Sequence, residues 1–148
     1  MFFYNCNAAL ASDLFAHLTE CDHAYNPKLS SRVDLSAYSR KLVELANTFE
    51  AWQDEKLVGL VAAYINHQSS AYITDVSVNP SFSHQGIAKK LLRMCIDEAV
   101  KQNCKFIELH VSHSNGKIIS LYTFLGFQAG QITDNQLRMT LVLNGVNR

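Results

Sequence analysis

No stretch of this chain reaches the roughly 18 consecutive apolar residues that a membrane-spanning helix needs, so a helical membrane protein is not expected. The opening residues, MFFYNCNAAL, lack the basic segment that begins a secretory signal, and the cytoplasm is the expected compartment. There is no CxxC pair and no tight cysteine cluster. Cys6, Cys21, Cys95 and Cys104 are therefore expected to be reduced and mostly buried, and no metal site is expected. Neither Gly-x-Gly-x-x-Gly nor Gly-Lys-Ser/Thr occurs, which argues against dinucleotide and P-loop nucleotide binding. The formal net charge is zero, from 13 basic and 13 acidic residues, which argues against a general nucleic-acid binder. Internal repeats and low-complexity segments are absent as well.

What is present is enough for one domain with a substantial core: 148 residues, of which 48% are hydrophobic. The charge is unevenly spread. Residues 1–70 hold five Lys/Arg and eight Asp/Glu, whereas residues 71–148 hold eight and five. An acidic front half would suit a cationic or amine ligand.

In chain order, Phe2 to Cys6 reads as a short strand, and Asn7 as the N-cap of a helix with Leu10, Leu14 and Leu18 on one face. Cys21 to Arg32 reads as a loop, around Asn26-Pro27 and Ser30-Ser31. Asp34 caps a second helix, in which Leu35, Tyr38, Leu42 and Leu45 recur at helical spacing. Phe49 to Gln53 and Leu57 to Asn66 form a hairpin about Asp54-Glu55-Lys56, and His67 to Ser70 makes the next turn. After the central segment described below, Lys105 to Val111 alternates as a strand and Asn115 to Leu125 is a short helix. Phe127 to Ile132 and Gln136 to Leu143 close the chain as a hairpin.

The central segment runs from Ala71 to Leu92. Ala71 to Val78 is rich in β-branched and aromatic residues, and Asn79-Pro80 ends the strand because proline has no N–H for a ladder. From Gly86 onward, Ile87, Leu91, Leu92, Cys95, Ile96 and Ala99 repeat at helical spacing. A glycine loop feeding a helix start gathers free backbone N–H groups at the positive end of a helix dipole, which can hold an anion such as phosphate. An ordinary strand-to-helix turn would have the same sequence.

The wording of this segment, from Val78-Asn79-Pro80 through Gln85-Gly86-Ile87-Ala88 to Leu91-Leu92, resembles motif A of the GNAT superfamily of acetyl-CoA-dependent N-acetyltransferases. In that family a loop of the form Gln/Arg-x-x-Gly-x-Gly/Ala holds the pyrophosphate of coenzyme A. The six matching positions here are Ser83, His84, Gln85, Gly86, Ile87 and Ala88, and Ser83 departs from the usual Gln or Arg. Asn115, Tyr122 and Gly126-Phe127 fall on the spacing of the family's motif B. The resemblance is good over about Leu57 to Phe127, and residues 1 to 50 match only in the order of elements. It implies a single α/β domain spanning 1–148, with a mixed, largely antiparallel sheet of six to seven strands and helices on both faces.

The resemblance also implies the chemistry: acetyl transfer from acetyl-CoA to a primary amine, expected on a small molecule rather than a protein, with no metal, nucleic acid or membrane involved. A homodimer is compatible with it. His84, Gln85, Gly86, Ile87, Ala88 and Lys89 are the expected phosphate contacts, with Lys90 adding charge nearby. The backbone of Val76 and Val78 would pair with the peptide-like pantetheine arm, as an added strand does. Asn115 would touch that arm or cap its own helix. Tyr122 is the candidate acid for the leaving thiolate, since a phenol is protonated at neutral pH. Some family members use a glutamate as base on the central strand. Here that place holds Thr74, which cannot serve, followed by Asp75, which could if it faces the site. His84, His110 and His113 titrate in a useful range, but no spacing singles one out. A non-catalytic acyl-CoA-binding module of the same fold is the alternative.

Overall fold

The structure, a computed structural model, describes residues 1–66 and 69–143. His67 and Gln68, from the turn expected over His67 to Ser70, lie outside the described residues. The elements follow the expected order: β1 (Phe3–Cys6), α1 (Ala11–Cys21), α2 (Leu35–Leu45), β2 (Asn47–Gln53), β3 (Lys56–Asn66), β4 (Ser70–Val78), α3 (Ile87–Lys101), β5 (Phe106–Ser112), α4 (Gly116–Phe124), β6 (Gln128–Thr133) and β7 (Gln136–Val142). The strands form one seven-stranded sheet in the order β1-β2-β3-β4-β5-β7-β6. Every neighbouring pair is antiparallel except β4 and β5.

Two apolar clusters fill the two faces. On one face α3 lays down Ile87, Leu91, Leu92, Cys95 and Ala99, the residues whose helical period marked it in the sequence. They meet Val61, Ala63, Ile107 and Leu109 of the sheet. On the other face α1 and α2 bury Leu14, Leu18 and Leu42 against Leu60 and Ala62. Each fully buried Leu, Ile or Val side chain among them contributes roughly 1.5–3 kcal/mol, and the alanines less. Gly59 of β3 lets α3 approach: a Cβ there would stand 2.6 Å from Cγ2 of Ile87 and 3.3 Å from the Cβ of Ala51. Ile87 is the first residue of α3, so this close packing fixes where the helix begins.

Asp34 caps α2 as expected, accepting from the Ala37 N–H at 2.9 Å. Asn7 does not cap α1. Its side-chain oxygen instead accepts from the Thr48 N–H at 2.8 Å, joining the chain after β1 to β2, and Asn7 itself sits at φ 55. The N-cap position belongs to Leu10, whose N–H donates to Asp13 at 2.9 Å. The neighbouring N–H groups of Ala8 and Ala9 are held by Glu50, whose buried carboxylate also accepts from Thr48 and Trp52. The loop expected over Cys21 to Arg32 contains two short 3-10 turns, Asp22–Ala24 and Leu29–Ser31. Of the cysteines, Cys6 is exposed, the other three are buried, and all four are free thiols. No helix among the described residues is long and apolar enough to cross a membrane.

Candidate active site

The site is made by a departure from regular pairing in β4. Against β3, Ile73 pairs with Ala63 and Asp75 with Ala62, so Thr74 is an extra residue, a β-bulge. The alternation of faces changes there. Ala71 and Ile73 point to the α3 side before the bulge, and Val76 and Val78 do so after it. Asp75 and Ser77 are turned to the α1–α2 side. On its other edge, β4 pairs with β5 only from Ser70↔Phe106 to Ile73↔Leu109. Beyond that point the two parallel strands splay apart.

A cleft of about 640 Å³ opens at the splay. Its walls include Thr74, Asp75 and Val76 from β4, Leu109 to Ser112 from β5, and Asn115, Ile118 and Tyr122 from α4 and its N-cap. Tyr25 and Arg32 line it from the α1–α2 loop. Tyr122 belongs to the α3-side cluster, whereas Asp75 belongs to the opposite face. The gap in the sheet brings these two expected catalytic residues onto one cavity. Val76 and Asn115 line the same cavity, and Asn115 also caps α4, accepting from the Ile118 N–H at 3.3 Å.

Asp75 is only 4% exposed. The Tyr25 hydroxyl donates to its Oδ1 at 2.6 Å and the Ser77 hydroxyl to its Oδ2 at 3.0 Å. His17 Nε2 lies 2.9 Å from Ser77 Oγ. When Asp75 is ionised it takes the single hydroxyl proton of Ser77, so Ser77 can only accept from His17, and Nε2 carries the hydrogen. Burial pushes the Asp75 carboxyl up to about 6, against the opposing pull of Tyr25, Ser77 and the Arg32 charge. Burial pushes His17 down to about 4. Tyr122 is likewise buried, at 4% exposure, which raises its phenol above the ordinary value, and the Asp75 charge adds to this. Among the described residues the Tyr122 hydroxyl has no hydrogen-bond partner, so it is available to whatever enters the cleft.

The remaining expected contacts lie at the start of α3, outside the cleft wall. Gly86 occupies the N-cap position at φ 77, and no side chain caps the helix. The first N–H groups of α3 therefore have no partner within the helix. A Cβ at Gly86 would meet nothing within 4 Å, so the space before those groups is open. His84, at φ 64, and Gln85 are exposed, and the Ile87 side chain is buried in the core, leaving only its backbone on this surface. Lys89 stacks over Phe124 of α4 at 4.5 Å, bridging the two helices beside the cleft. Lys90 turns instead to the Tyr4 ring at 5.3 Å. Val78 packs with the α3-side cluster and does not reach the cleft wall. His110 faces away from Leu109 and Val111, with Nδ1 2.8 Å from the Tyr72 hydroxyl.

No catalytic motif or spacing in the sequence singles out Tyr25, His17, Ser77 or Arg32. His17 had a usable signal. With Leu14, Leu18 and Cys21 it completes an i, i+3, i+4, i+7 face of α1, which places an imidazole in the core.

The comparisons agree with this architecture. The sequence matches the Acetyltransferase (GNAT) family over residues 11–127, and the chain belongs to that family. It is 34% identical over 80 residues to the [ribosomal protein bS18]-alanine N-acetyltransferase of Escherichia coli K12, a match covering 52% of this chain and 54% of that protein. The aligned stretch thus spans about half the length of this curated relative. The crystal structure of the ribosomal-protein-S18-alanine N-acetyltransferase from Escherichia coli superposes with a TM-score of 0.80 at 20% identity, covering 99% of this chain and 97% of that one. The PaiA N-acetyltransferase from Thermoplasma acidophilum, in complex with coenzyme A, superposes at 0.72 with 15% identity, covering 95% and 99%. At these identities the superpositions show a shared fold.

Proposed function

We propose that the protein is an acetyl-CoA-dependent N-acetyltransferase acting on the primary amine of a small molecule. The observation that carries this reading is the splay of β4 from β5, which puts an uncommitted buried phenol and a buried carboxylate on one cavity. Family membership and the coenzyme A bound to a neighbour of the same fold support the choice of cofactor. The phosphates would rest on the free N–H groups from Gln85 to Ala88, with His84 and Lys89 at their edge, and the pantetheine arm would pass Asn115 and the free edge of β4 at Val76 and Val78.

In the reaction the amine nitrogen bonds to the thioester carbonyl carbon, and the bond from that carbon to sulfur breaks. The proton leaving nitrogen passes to Asp75, directly or through the Tyr25 hydroxyl, which already donates to it. The Tyr122 proton goes to the departing sulfur. Burial raises the phenol, so Tyr122 carries its proton at neutral pH and has it to give.

Saturating acetyl-CoA should raise the melting temperature, whereas ATP and NAD should not. A ligand present at a hundred times its dissociation constant adds about 2.7 kcal/mol to the native state. Gly86→Val should abolish that shift. Valine is strained at φ 77 and would project into the open space before the helix. A folded Gly86→Val protein with full acetyl-CoA affinity by calorimetry would place the phosphates elsewhere, and an unmoved parent melt would overturn the cofactor assignment.

The pH profile tests Asp75. The amine's own protonation lowers kcat/KM by a factor of ten per pH unit below the amine pKa. Protonation of Asp75 should add a second such loss below about pH 6, where its carboxyl titrates. Asp75→Asn should remove that second loss, and a parent profile of constant slope through pH 6 would count against Asp75 as base.

A further inference from the structure

The acceptor end of the cleft has an uneven charge inventory. Among the described residues, Arg32 is the only Lys or Arg on its wall, and Asp75 is the only carboxylate. The two differ in availability. Both Asp75 oxygens already accept hydrogen bonds, and its side chain is buried. Arg32 is exposed, and neither of the two ion pairs among the described residues involves it. A molecule entering the cleft therefore meets a free guanidinium and no free carboxylate. His110 also lines the cleft, with its Nδ1 2.8 Å from the Tyr72 hydroxyl, and Asn26, Ser112, Ser114 and Gln136 are uncharged polar residues of the same wall.

The backbone at Arg32 is held by the turn that precedes it. Just before it, the turn Leu29–Ser31 is pinned by Asp22, which accepts from the Ser30 N–H at 2.7 Å and the Ser30 hydroxyl at 2.6 Å. The Arg32 N–H closes the same turn on Leu29 O at 2.9 Å. Earlier in the loop, Tyr25 is tied to Asp75. The backbone that carries the cation is thus held at a set place relative to the carboxylate that would receive the amine proton. None of residues 83–90, where the cofactor phosphates would rest, contributes to this wall.

We propose that Arg32 docks a carboxylate of the acceptor, and that the acceptor is a small molecule of the amino-acid class, bearing an amine and a carboxylate together. This rests on the acetyltransferase reading above and narrows it. The planar guanidinium fork binds a carboxylate through two parallel N–H donors, and its charge disfavours polycationic amines in the same cleft. The net acidity of residues 1–70 suggested a cationic ligand, but the acidic residues of that half do not line the cleft.

The test measures thiol release from acetyl-CoA with free amino acids, their carboxamides, short peptides and polyamines. With rates expressed per unprotonated amine, an amino acid and its carboxamide differ in the charge that Arg32 would read. For at least one such pair, kcat/KM should favour the acid by about tenfold to a hundredfold. Arg32→Gln should bring that ratio close to one, mainly through KM, and Arg32→Lys should retain part of it. Carboxamides, peptides or polyamines turned over as well as the acids would overturn the proposal and leave the acetyltransferase reading standing. So would an Arg32→Gln protein that keeps the ratio, or one that loses acetyl-CoA affinity instead. Acetyl-CoA binding without turnover of any acceptor would overturn both.

Discussion

Replacing Tyr122 with phenylalanine should lower kcat for acetyl transfer by about 10²–10⁴, the usual worth of a positioned general acid. The affinity for acetyl-CoA should stay close to that of the parent, because the lost interaction is made chiefly in the transition state. The fold should tolerate the change. The ring packs against Phe127, with centroids 5.6 Å apart, and phenylalanine keeps that contact. Since the hydroxyl has no partner among the described residues, its removal strands no buried group. Steady-state kinetics with any working acceptor, alongside a thermal melt, separates the roles. A variant rate within twofold of the parent would remove Tyr122 from the mechanism and favour a module that binds acyl-CoA without turnover.

The second large effect is on stability and its dependence on pH. Asp75→Asn should make the protein gain about 3 kcal/mol of stability between pH 4 and pH 6.5. In the parent this gain is masked. Asp75 keeps its proton in the folded state up to about pH 6, whereas an unfolded aspartate releases it near 3.8. Its contribution is therefore present at low pH and lost as pH rises through about 6. His17 behaves oppositely. The folded imidazole stays neutral down to about pH 4, whereas the unfolded one charges near 6.5. Its contribution is present above pH 6.5 and lost as pH falls through about 4. Each term amounts to about 3 kcal/mol, and across pH 4 to 6 they nearly cancel. Removing Asp75 leaves the rising term of His17, whereas His17→Gln should leave a falling one. Denaturant titrations of both variants across this range check the pair. An Asp75→Asn protein of constant stability from pH 4 to 6.5 would show that His17 is not held neutral.

The order of elements was legible because each has its own local period. Leu91, Leu92, Cys95 and Ala99 identify α3 without reference to any other part of the chain. The alternation of Ile107, Leu109 and Val111 does the same for β5. The loop before α3 was legible for a related reason, since it depends on one glycine and a helix start adjacent in sequence. The carboxylate network was not. His17, Tyr25, Asp75 and Ser77 come from α1, a loop and β4, and their hydrogen bonds span 50 and 60 residues of chain. Each also has an ordinary local reading. Asn7 failed as a cap for the same reason: a residue 41 positions away competes for its side chain, and local capping preference loses to that pairing. Arg32 sat in a loop with no period at all, and its significance rests on which charges surround it in space.

The bulge at Thr74 has a consequence for how this segment can change over evolutionary time. Substitution at position 74 alters one half-buried side chain whose backbone carbonyl accepts from the Tyr38 hydroxyl. Deletion is a different event. Losing one residue would restore unbroken alternation, and either the stretch before the gap or the stretch after it would be inverted. Asp75 and Ser77 would then point into the apolar layer under α3, or Ala71 and Ile73 would leave it. The segment is therefore permissive in composition and rigid in length, and lineages descended from a common ancestor should preserve its residue count more faithfully than the residue at 74.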